Sequence, residues 1–582
     1  MWTQSQDSGK LKGMKETLNI ETERIDDIPL LISHMQRMKI AQVLDKHIPT
    51  HGHRKGLSVG ELSLVWLAHI LSQADHRMNR VQEWAMRRLE TLRGCGMNAL
   101  QTEDLTDDRL ADLLRLLSDD VHWQACEQEL MGQLLRVYDL PAQAVRIDTT
   151  TASSYADVTP EGLLQLGHSK DHRPDLPQLK VVLATLDPLG MPLATEVIAG
   201  QQADDPVYVP IIARVREGLQ QSGLLYVGDC KMAALQTRAS IQAQGDYYLC
   251  PLSALQAPAW QVQHEVEAQR AQGARLIPVE RADEQGKVTC IAQGYEIVQT
   301  ITAQVDGEPQ AWTERRLLIQ SMAATHAAQA SLQERLHQAQ HAVQELTTRR
   351  QGKTRLKERP AVEEAIAVLL TRFRVEGLLC VEIQEHVQER PVRAYRGHVS
   401  SGRRDVTFTI TCEREEKAIE QAMSQLGWRV YATNHLRDHL SLEQAVEAYR
   451  DEYLVERNFS RLKGRPLGLA PLYVQRDDHR VGLVRLLTLA LRVITVLEGV
   501  VRQRLSEQKM ELAGLFAGNP KRRTSQPTTE RLLEAFSEVT LTIVRASGFV
   551  QRHLTPLSPL QQQILALLGF SPAVYLRLVD DS

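Results

Sequence analysis

Apolar positions along the chain recur with two different periods, and the change from one to the other divides it into regions. Residues from about 15 to 140 carry apolar residues at helical spacing. LSVGELSLVWLAHIL opens on Ser58 with Glu61 three residues later, a capping-box arrangement. LTDDRLADLLRLLSDD places Leu110, Leu113, Leu114 and Leu117 on one face behind Thr106 as N-cap. Short helices of this kind fit a helix-turn-helix reader, with Arg77, Arg80, Arg87 and Arg88 as candidate phosphate contacts. From Ala142 to Leu252 the texture becomes strand and helix in alternation. VRIDTTTASSY, LKVVLATLD and MPLATEVIAG predict strands, the last two joined by a turn at Asp187 to Gly190. Asp205 and Pro206 open a helix, LLYVGDC predicts a strand ending at Asp229, AALQTRASIQAQG a helix and DYYLCPL a strand.

Residues 255 to 430 break this alternation. GYEIVQTITAQV and ERRLLIQS predict strands, and a long helix follows in which Leu332, Leu336, Ala339, Val343 and Leu346 share a face. A basic turn around Gly352 and a return helix from about Pro360 to Phe373 complete a helical hairpin. VTFTITCEREEKAIEQAMSQLGWRVYATN then predicts strand, helix and strand, and one helix is expected from Glu443 to Lys463. The apolar stretch from Leu483 to Val501 is interrupted by Arg485, Arg492 and Glu498, so it predicts a buried helix rather than a membrane span. A linker and a short helical tail from Glu530 close the chain.

The order β-β-β-α-β-α-β in the second region is that of an RNase H-like core. The expected fold class is therefore α/β: such a core interrupted by a mixed α/β insertion, with an N-terminal all-helical domain and a helical C-terminal tail. The expected domains are residues 1–140 (helical, DNA-end binding), 141–254 (first part of the core), 255–430 (insertion), 431–505 (second part of the core) and 506–582 (linker and tail). In that fold the first and fourth strands end side by side, at the carboxyl edge where α/β sheets bind ligands. Asp148 and Asp229 stand at those two ends.

Composition narrows the chemistry by exclusion. Seven scattered cysteines without a CxxC pair argue against a zinc ribbon or a disulfide framework and fit a reducing cytoplasm. MWTQSQDSGKLKGMKETLNIETE has no apolar core, so no secretory signal is expected. A net charge of −4 weighs against a generic nucleic-acid binder, but the cations are clustered: Arg349, Arg350, Lys353, Arg355, Lys357 and Arg359 in one group, Lys521, Arg522 and Arg523 in another. No GxxxxGK, HExxH or GxSxG motif is present, so no nucleotide cofactor, zincin or serine hydrolase is expected.

YRDEYLVERNFSRLKGR, from Tyr449 to Arg465, sets Glu456 among Arg457, Arg461, Lys463 and Arg465. Glu456 and Lys463 are two helical turns apart and share a face. One carboxylate beside several cations suits a metal ion next to a phosphate backbone. Asp148, Asp229 and Glu456 are thus three acids on elements expected to meet. Phosphoryl transfer on DNA uses two divalent ions, one at the attacking and one at the leaving oxygen. Asp148 is the expected bridging ligand, with Asp229 and Glu456 each completing one site, and hard oxygen donors select Mg²⁺ or Mn²⁺. Between the first two strands, Lys170 and Arg173, with His168 and His172, form a loop expected to approach DNA.

IDTTT at 147–151, YVGDC at 226–230 and the series Tyr449, Glu456, Lys463 resemble the DDE transposases of bacterial insertion sequences, in the IS-four-type superfamily with a Tyr-Arg-Glu-Lys signature. GHSKDHRPDLPQLKV at 167–181 is similar to one subgroup of these enzymes. The resemblance runs from about residue 15 to 500. It implies a metal-dependent enzyme that binds the element's terminal inverted repeats, cleaves there by water and joins the freed 3′-OH ends to target DNA. It also implies transposon-end contacts from the inserted region, and phosphate contacts from Tyr449 and Lys463. The signature's arginine falls at Glu452, which leaves Arg450, Arg457 and Arg461 as candidates for its phosphate contact. Because two ends are cut together, a homodimer on double-stranded DNA is expected, acting in the bacterial cytoplasm with no membrane partner. The competing readings are a DNA-binding relic that no longer cuts and an RNase H-type nuclease without strand transfer.

Overall fold

The computed structural model describes residues 19–52, 55–282, 286–305, 307–348, 356–391, 402–546 and 549–579. The chain divides into two compact units. The first takes residues 1–248, 303–310 and 449–582, and the second takes 249–302 and 311–448.

The first unit opens with β1 (Asn19–Arg24) and the helices α1 (Ile28–Arg37), α2 (Ile40–His47), α3 (Val59–Gln73), α4 (Met78–Met86), α5 (Leu89–Gly94), α6 (Asp107–Leu117) and α7 (Asp120–Tyr138). The capping box closes α3: Ser58 Oγ accepts the Glu61 N–H at 3.0 Å, and Glu61 Oε2 accepts the Ser58 N–H at 3.0 Å. Leu110, Leu113, Leu114 and Leu117 of α6 are all buried. Thr106 is the N-cap of α6, but its side chain makes no capping hydrogen bond; Asp107 and Asp108 in the first turn face the positive end of the helix dipole instead.

Next come β2 (Ala144–Ser153), β3 (Gln178–Leu186), β4 (Met191–Ala199), α8 (Tyr208–Leu219), β5 (Leu225–Gly228), α9 (Leu235–Ala243) and β6 (Tyr247–Pro251). The order across the sheet in this unit is β4-β3-β2-β5, with β2, β3 and β4 antiparallel and β5 parallel to β2. Every residue of β3 is buried, which explains the apolar run Val181–Ala184 at its centre: a strand covered on both faces loses the polar alternation.

The 31-residue helix α16 (Asp477–Glu507) packs against α3, α6 and β4. Its approach to α6 is close enough that a Cβ on Gly482 would lie 2.0 Å from the Leu114 carbonyl oxygen, so only glycine fits there. The charges that interrupt this apolar helix are buried in pairs, as burial demands. Arg492 donates to Glu127 at 2.8 Å and to the carbonyls of Pro192 and Leu193. No helix among the described residues is long and apolar enough to cross a membrane.

The second unit carries α10 (Ala259–Ala271), β7 (Ile277–Ala282), β8 (Val288–Val305), β9 (Glu308–Ser321), the helices α11 (Met322–Gln344) and α12 (Arg359–Phe373), a ribbon of β10 (Leu379–Pro391) and β11 (Gly402–Arg414), α13 (Glu416–Ser424) and β12 (Trp428–Thr433). Leu332, Leu336, Ala339 and Val343 are buried, and their partners are Val362 and Ile366 of α12 with Phe408 and Ile410 of β11. The hairpin is thus two helices closed onto a β-ribbon. Arg349, Arg350, Lys353 and Arg355 of the expected basic turn lie outside the described residues.

Three expectations are corrected. The helix expected from Glu443 to Lys463 is two, α14 (Leu442–Arg450) and α15 (Tyr453–Lys463), with a turn at Asp451 and Glu452 between them. The N-terminal region is not wholly helical, because β1 pairs with Thr540–Ala546. The tail is not wholly helical either: Thr540–Ala546 and Phe549–Leu554 form an antiparallel pair. Leu541 and Ile543 point inward while Thr540 and Thr542 are half-buried, the period-2 pattern of a strand with one covered face.

Candidate active site

The register of the parallel pair positions the two aspartates. Ile147 of β2 is opposite Gly228 of β5, so Asp148 and Asp229 follow as neighbours. Asp229 stands just past the carboxyl end of β5, but Asp148 is not at the end of β2 as expected: the strand continues to Ser153 on its pairing with β3. Asp148 is shielded, with 18% of its side chain exposed. Burial pushes its carboxyl above the ordinary range, the Lys170 ammonium pulls it back, and the nearby Asp229 carboxylate pushes it up again. Asp229 Oδ1 accepts the Tyr208 hydroxyl at 2.7 Å and the Lys231 N–H at 2.9 Å. Tyr208, at the start of α8, is buried; burial and the Asp229 charge hold its phenol protonated well above the usual range.

α15 packs against β2, and its Leu454, Val455, Asn458 and Leu462 are buried. Asn458 Nδ2 donates to the Gly190 carbonyl at 2.5 Å, which fixes the rotation of the helix. Glu452, Glu456 and Lys463 fall four and seven residues apart and share one face. Lys463 Nζ reaches Asp171 Oδ1 at 2.5 Å, in the loop between β2 and β3. In that loop Lys170 Nζ lies 3.2 Å from Asp148 Oδ1 and donates to the Thr149 carbonyl. The glutamate face of α15 is therefore on the side of Asp148 and Asp229. Glu456 is exposed and Glu452 half-buried. Burial first, then the charges of Asp148 and Glu456, raise the Glu452 carboxyl above its ordinary range.

The expected cations separate into two groups. Lys170 and Lys463 join the acids just described. Arg457 and Arg461 turn to the buried Glu498: Arg457 Nη1 lies 3.1 Å from Glu498 Oε1, and Arg461 pairs with Glu498 and, at 3.2 Å, with Glu530. Arg461 is 7% exposed. Arg173 is exposed and pairs with Asp175 at 2.7 Å, and Tyr449 is half-buried on α14. Sequence reasoning missed Tyr208 and Asp171, and met Glu452 only as a departure. The nearest signal was the spacing of Glu452 one turn before Glu456.

Among the described residues no three acids, histidines or cysteines are already gathered closely enough to hold an ion. The aspartate oxygens are engaged by Lys170 and Tyr208. The donor set nevertheless fits a hard divalent cation: two adjacent carboxylates, one of them shielded and repelled by the other, faced by further carboxylates. Such repulsion is relieved by a metal ion's charge.

The family model for the transposase DDE domain matches residues 136–492. That span is more than half of the chain and includes Asp148, Asp229 and Glu456, and the chain belongs to this family of transposases. Among solved structures it is similar to a piggyBac transposase, seen by cryo-electron microscopy in a synaptic complex with hairpin DNA, at 7% identity over 97% of this chain and 88% of that one, with a TM-score of 0.32. No curated protein gives a significant sequence match.

Proposed function

We propose that this transposase is the enzyme of a bacterial insertion sequence, of the IS-four-type group with the Tyr-Arg-Glu-Lys signature, built on an RNase H-like core. It binds the terminal inverted repeats, cleaves at the ends and transfers the 3′-OH ends to target DNA. The observation that carries this reading is the placing of Asp148 and Asp229 side by side on neighbouring parallel strands, Asp148 within β2 and Asp229 just past the end of β5, beside the glutamate face of α15.

Asp148, Asp229 and Glu456 are the proposed ligands of two Mg²⁺ or Mn²⁺ ions. Bound there, such ions supply activation of the attacking oxygen and stabilisation of the leaving oxygen. In the first step a water oxygen bonds to the phosphorus at the element's end, the bond to the 3′ oxygen breaks, and that oxygen leaves as the 3′-OH. In the second step the 3′-OH oxygen bonds to a target phosphorus and the target strand's own 3′ oxygen leaves. Tyr208 keeps one oxygen of Asp229 turned by its hydrogen bond. Lys463, Lys170, Arg173 and Tyr449 are the proposed phosphate contacts. Arg457 and Arg461 contribute by holding α15 to Glu498 rather than by touching DNA. The helical region of residues 1–140 and the insertion of residues 255–430 are the proposed end-binding parts, and a homodimer in the bacterial cytoplasm pairs the two ends.

Cleavage of a labelled duplex carrying the element's own end, with and without Mg²⁺, tests this reading against Asp229→Asn, which keeps shape and removes charge. The wild type is expected to cut only with Mg²⁺, and the variant to bind without cutting. Binding without cutting by both would establish the relic instead.

A further inference from the structure

Lys170, in the loop between β2 and β3, is paired with an acid of the candidate site. Its ammonium lies 3.2 Å from Asp148 Oδ1 and also donates to the Thr149 carbonyl. The aspartate side of the pair is shielded and the lysine side is open to water, with 34% of the lysine and 18% of the aspartate side chain exposed. The lysine thus neutralises a carboxylate proposed above as a metal ligand. An ammonium and a divalent cation cannot share one carboxylate oxygen, since like charges at contact distance repel strongly.

The loop does not depend on that ammonium for its position. Lys463 holds Asp171 at 2.5 Å, and Thr151 Oγ donates to the other oxygen of Asp171 at 3.3 Å. Ser169 Oγ accepts the N–H groups of Asp171 and Arg173, and the Lys170 N–H itself donates to Thr151 Oγ at 3.2 Å. Three ties besides the ammonium moor residues 169–173 to β2 and α15, and two more brace the loop internally, so the side chain of Lys170 is free to leave Asp148 while its backbone stays.

Resting on the metal-dependent reading above, we infer that Lys170 is a resident counter-cation of the metal site, which holds Asp148 in the ion-free protein and is displaced when a divalent ion binds. The displaced ammonium then lies at the rim of the site, where a phosphate of the DNA can take the carboxylate's place as its partner. Metal binding and phosphate capture are coupled through one side chain, and Lys170 lowers the affinity of the free protein for the metal.

This inference predicts the opposite sign from a structural role, in which loss of Lys170 would loosen the site and weaken the metal. Mn²⁺ binding to the full chain is titrated by the loss of the free-ion electron paramagnetic resonance signal, without DNA, for wild type, Lys170→Met, Lys170→Arg and Asp148→Asn. Lys170→Met should bind Mn²⁺ about two- to fivefold more tightly, the range expected for removing a solvent-accessible ion pair. Lys170→Arg, which keeps the charge, should bind no more tightly than wild type, and Asp148→Asn should lose the site. Equal or weaker binding by Lys170→Met overturns the inference, as does an equal gain in Lys170→Arg. Binding that is absent from the wild type, or that survives Asp148→Asn, overturns the metal-centre reading itself, and the inference with it.

Discussion

The aspartates of the β2–β5 pair and the glutamates of α15 carry the same chemistry on different supports. Asp148 and Asp229 are positioned by the β2–β5 register, a backbone ladder in which Ile147 opposite Gly228 fixes the next pair, and each is further held by a side-chain partner. Glu452 and Glu456 depend on the rotation of one short helix, set by Asn458 on the Gly190 carbonyl and by the pull of Arg457 and Arg461 on Glu498. Strands give a site its fixed pair, and a packed helix supplies the adjustable third. A helix can bring its acid closer when an ion arrives; paired strands cannot move so far without breaking their ladder.

The largest effects should come from the fixed pair. Asp148→Asn or Asp229→Asn is expected to lower end cleavage by roughly 10³-fold or more, beyond the 10- to 100-fold typical of an outer partner of a metal ligand. Single-turnover cleavage of an end duplex measures this, and Glu456→Gln should lose less. The support of the helix can be broken separately. Arg461→Ala removes one of three cations on Glu498, which keeps Arg457 and Arg502, and should cost about 1.5–3 kcal/mol of stability, read by denaturant unfolding. Lys463→Ala, at the open end of the same helix, should cost under about 1 kcal/mol and instead lower the salt dependence of DNA binding by about one phosphate contact.

Smaller changes sharpen the contrast. Tyr208→Phe keeps the buried ring and deletes the donor to Asp229, and should weaken Mn²⁺ binding by roughly tenfold with the fold intact, read by titration and circular dichroism. The smallest effect belongs to Glu452. Its carboxyl is raised above the ordinary range, chiefly by burial, so the folded protein favours the protonated form. Its contribution to stability is full below the ordinary glutamate range and is lost as pH rises through the raised folded value. Glu452→Gln should therefore raise the metal-free Tm slightly at neutral pH, with the gain disappearing as pH falls into the ordinary carboxylate range.

What the sequence made legible follows from how local each signal is. The capping box at Ser58 and Glu61, the leucine face of α6 and the buried face of α11 are written within one or two helical turns, and each is found in place. The order of strands and helices from Ala144 to Pro251 was equally readable, because each strand is bounded by a turn or by a change of period. The pairing of β1 with Thr540–Ala546 was not, since its partners are more than 500 residues apart and each strand is short. The break at Asp451 and Glu452 was hidden because both flanking segments keep helical periodicity. At the candidate site, the acids stood out as residue types at strand ends and on a helix face. Their partners did not: Tyr208 lies in an apolar helix and reads as core, and Arg461 reads as a surface cation until Glu498 is seen buried beside it.

The central claim is that the strand pair and the helix acid serve one metal centre, and anomalous diffraction from a crystal soaked in Mn²⁺ tests it most directly. The account predicts Mn²⁺ bound between Asp148 and Asp229, with Glu456 drawn to coordinating distance, about 2.2 Å, and Lys170 moved off Asp148. Mn²⁺ bound away from these residues, or held by the aspartates while Glu456 stays in solvent and Lys170 stays on Asp148, would contradict it.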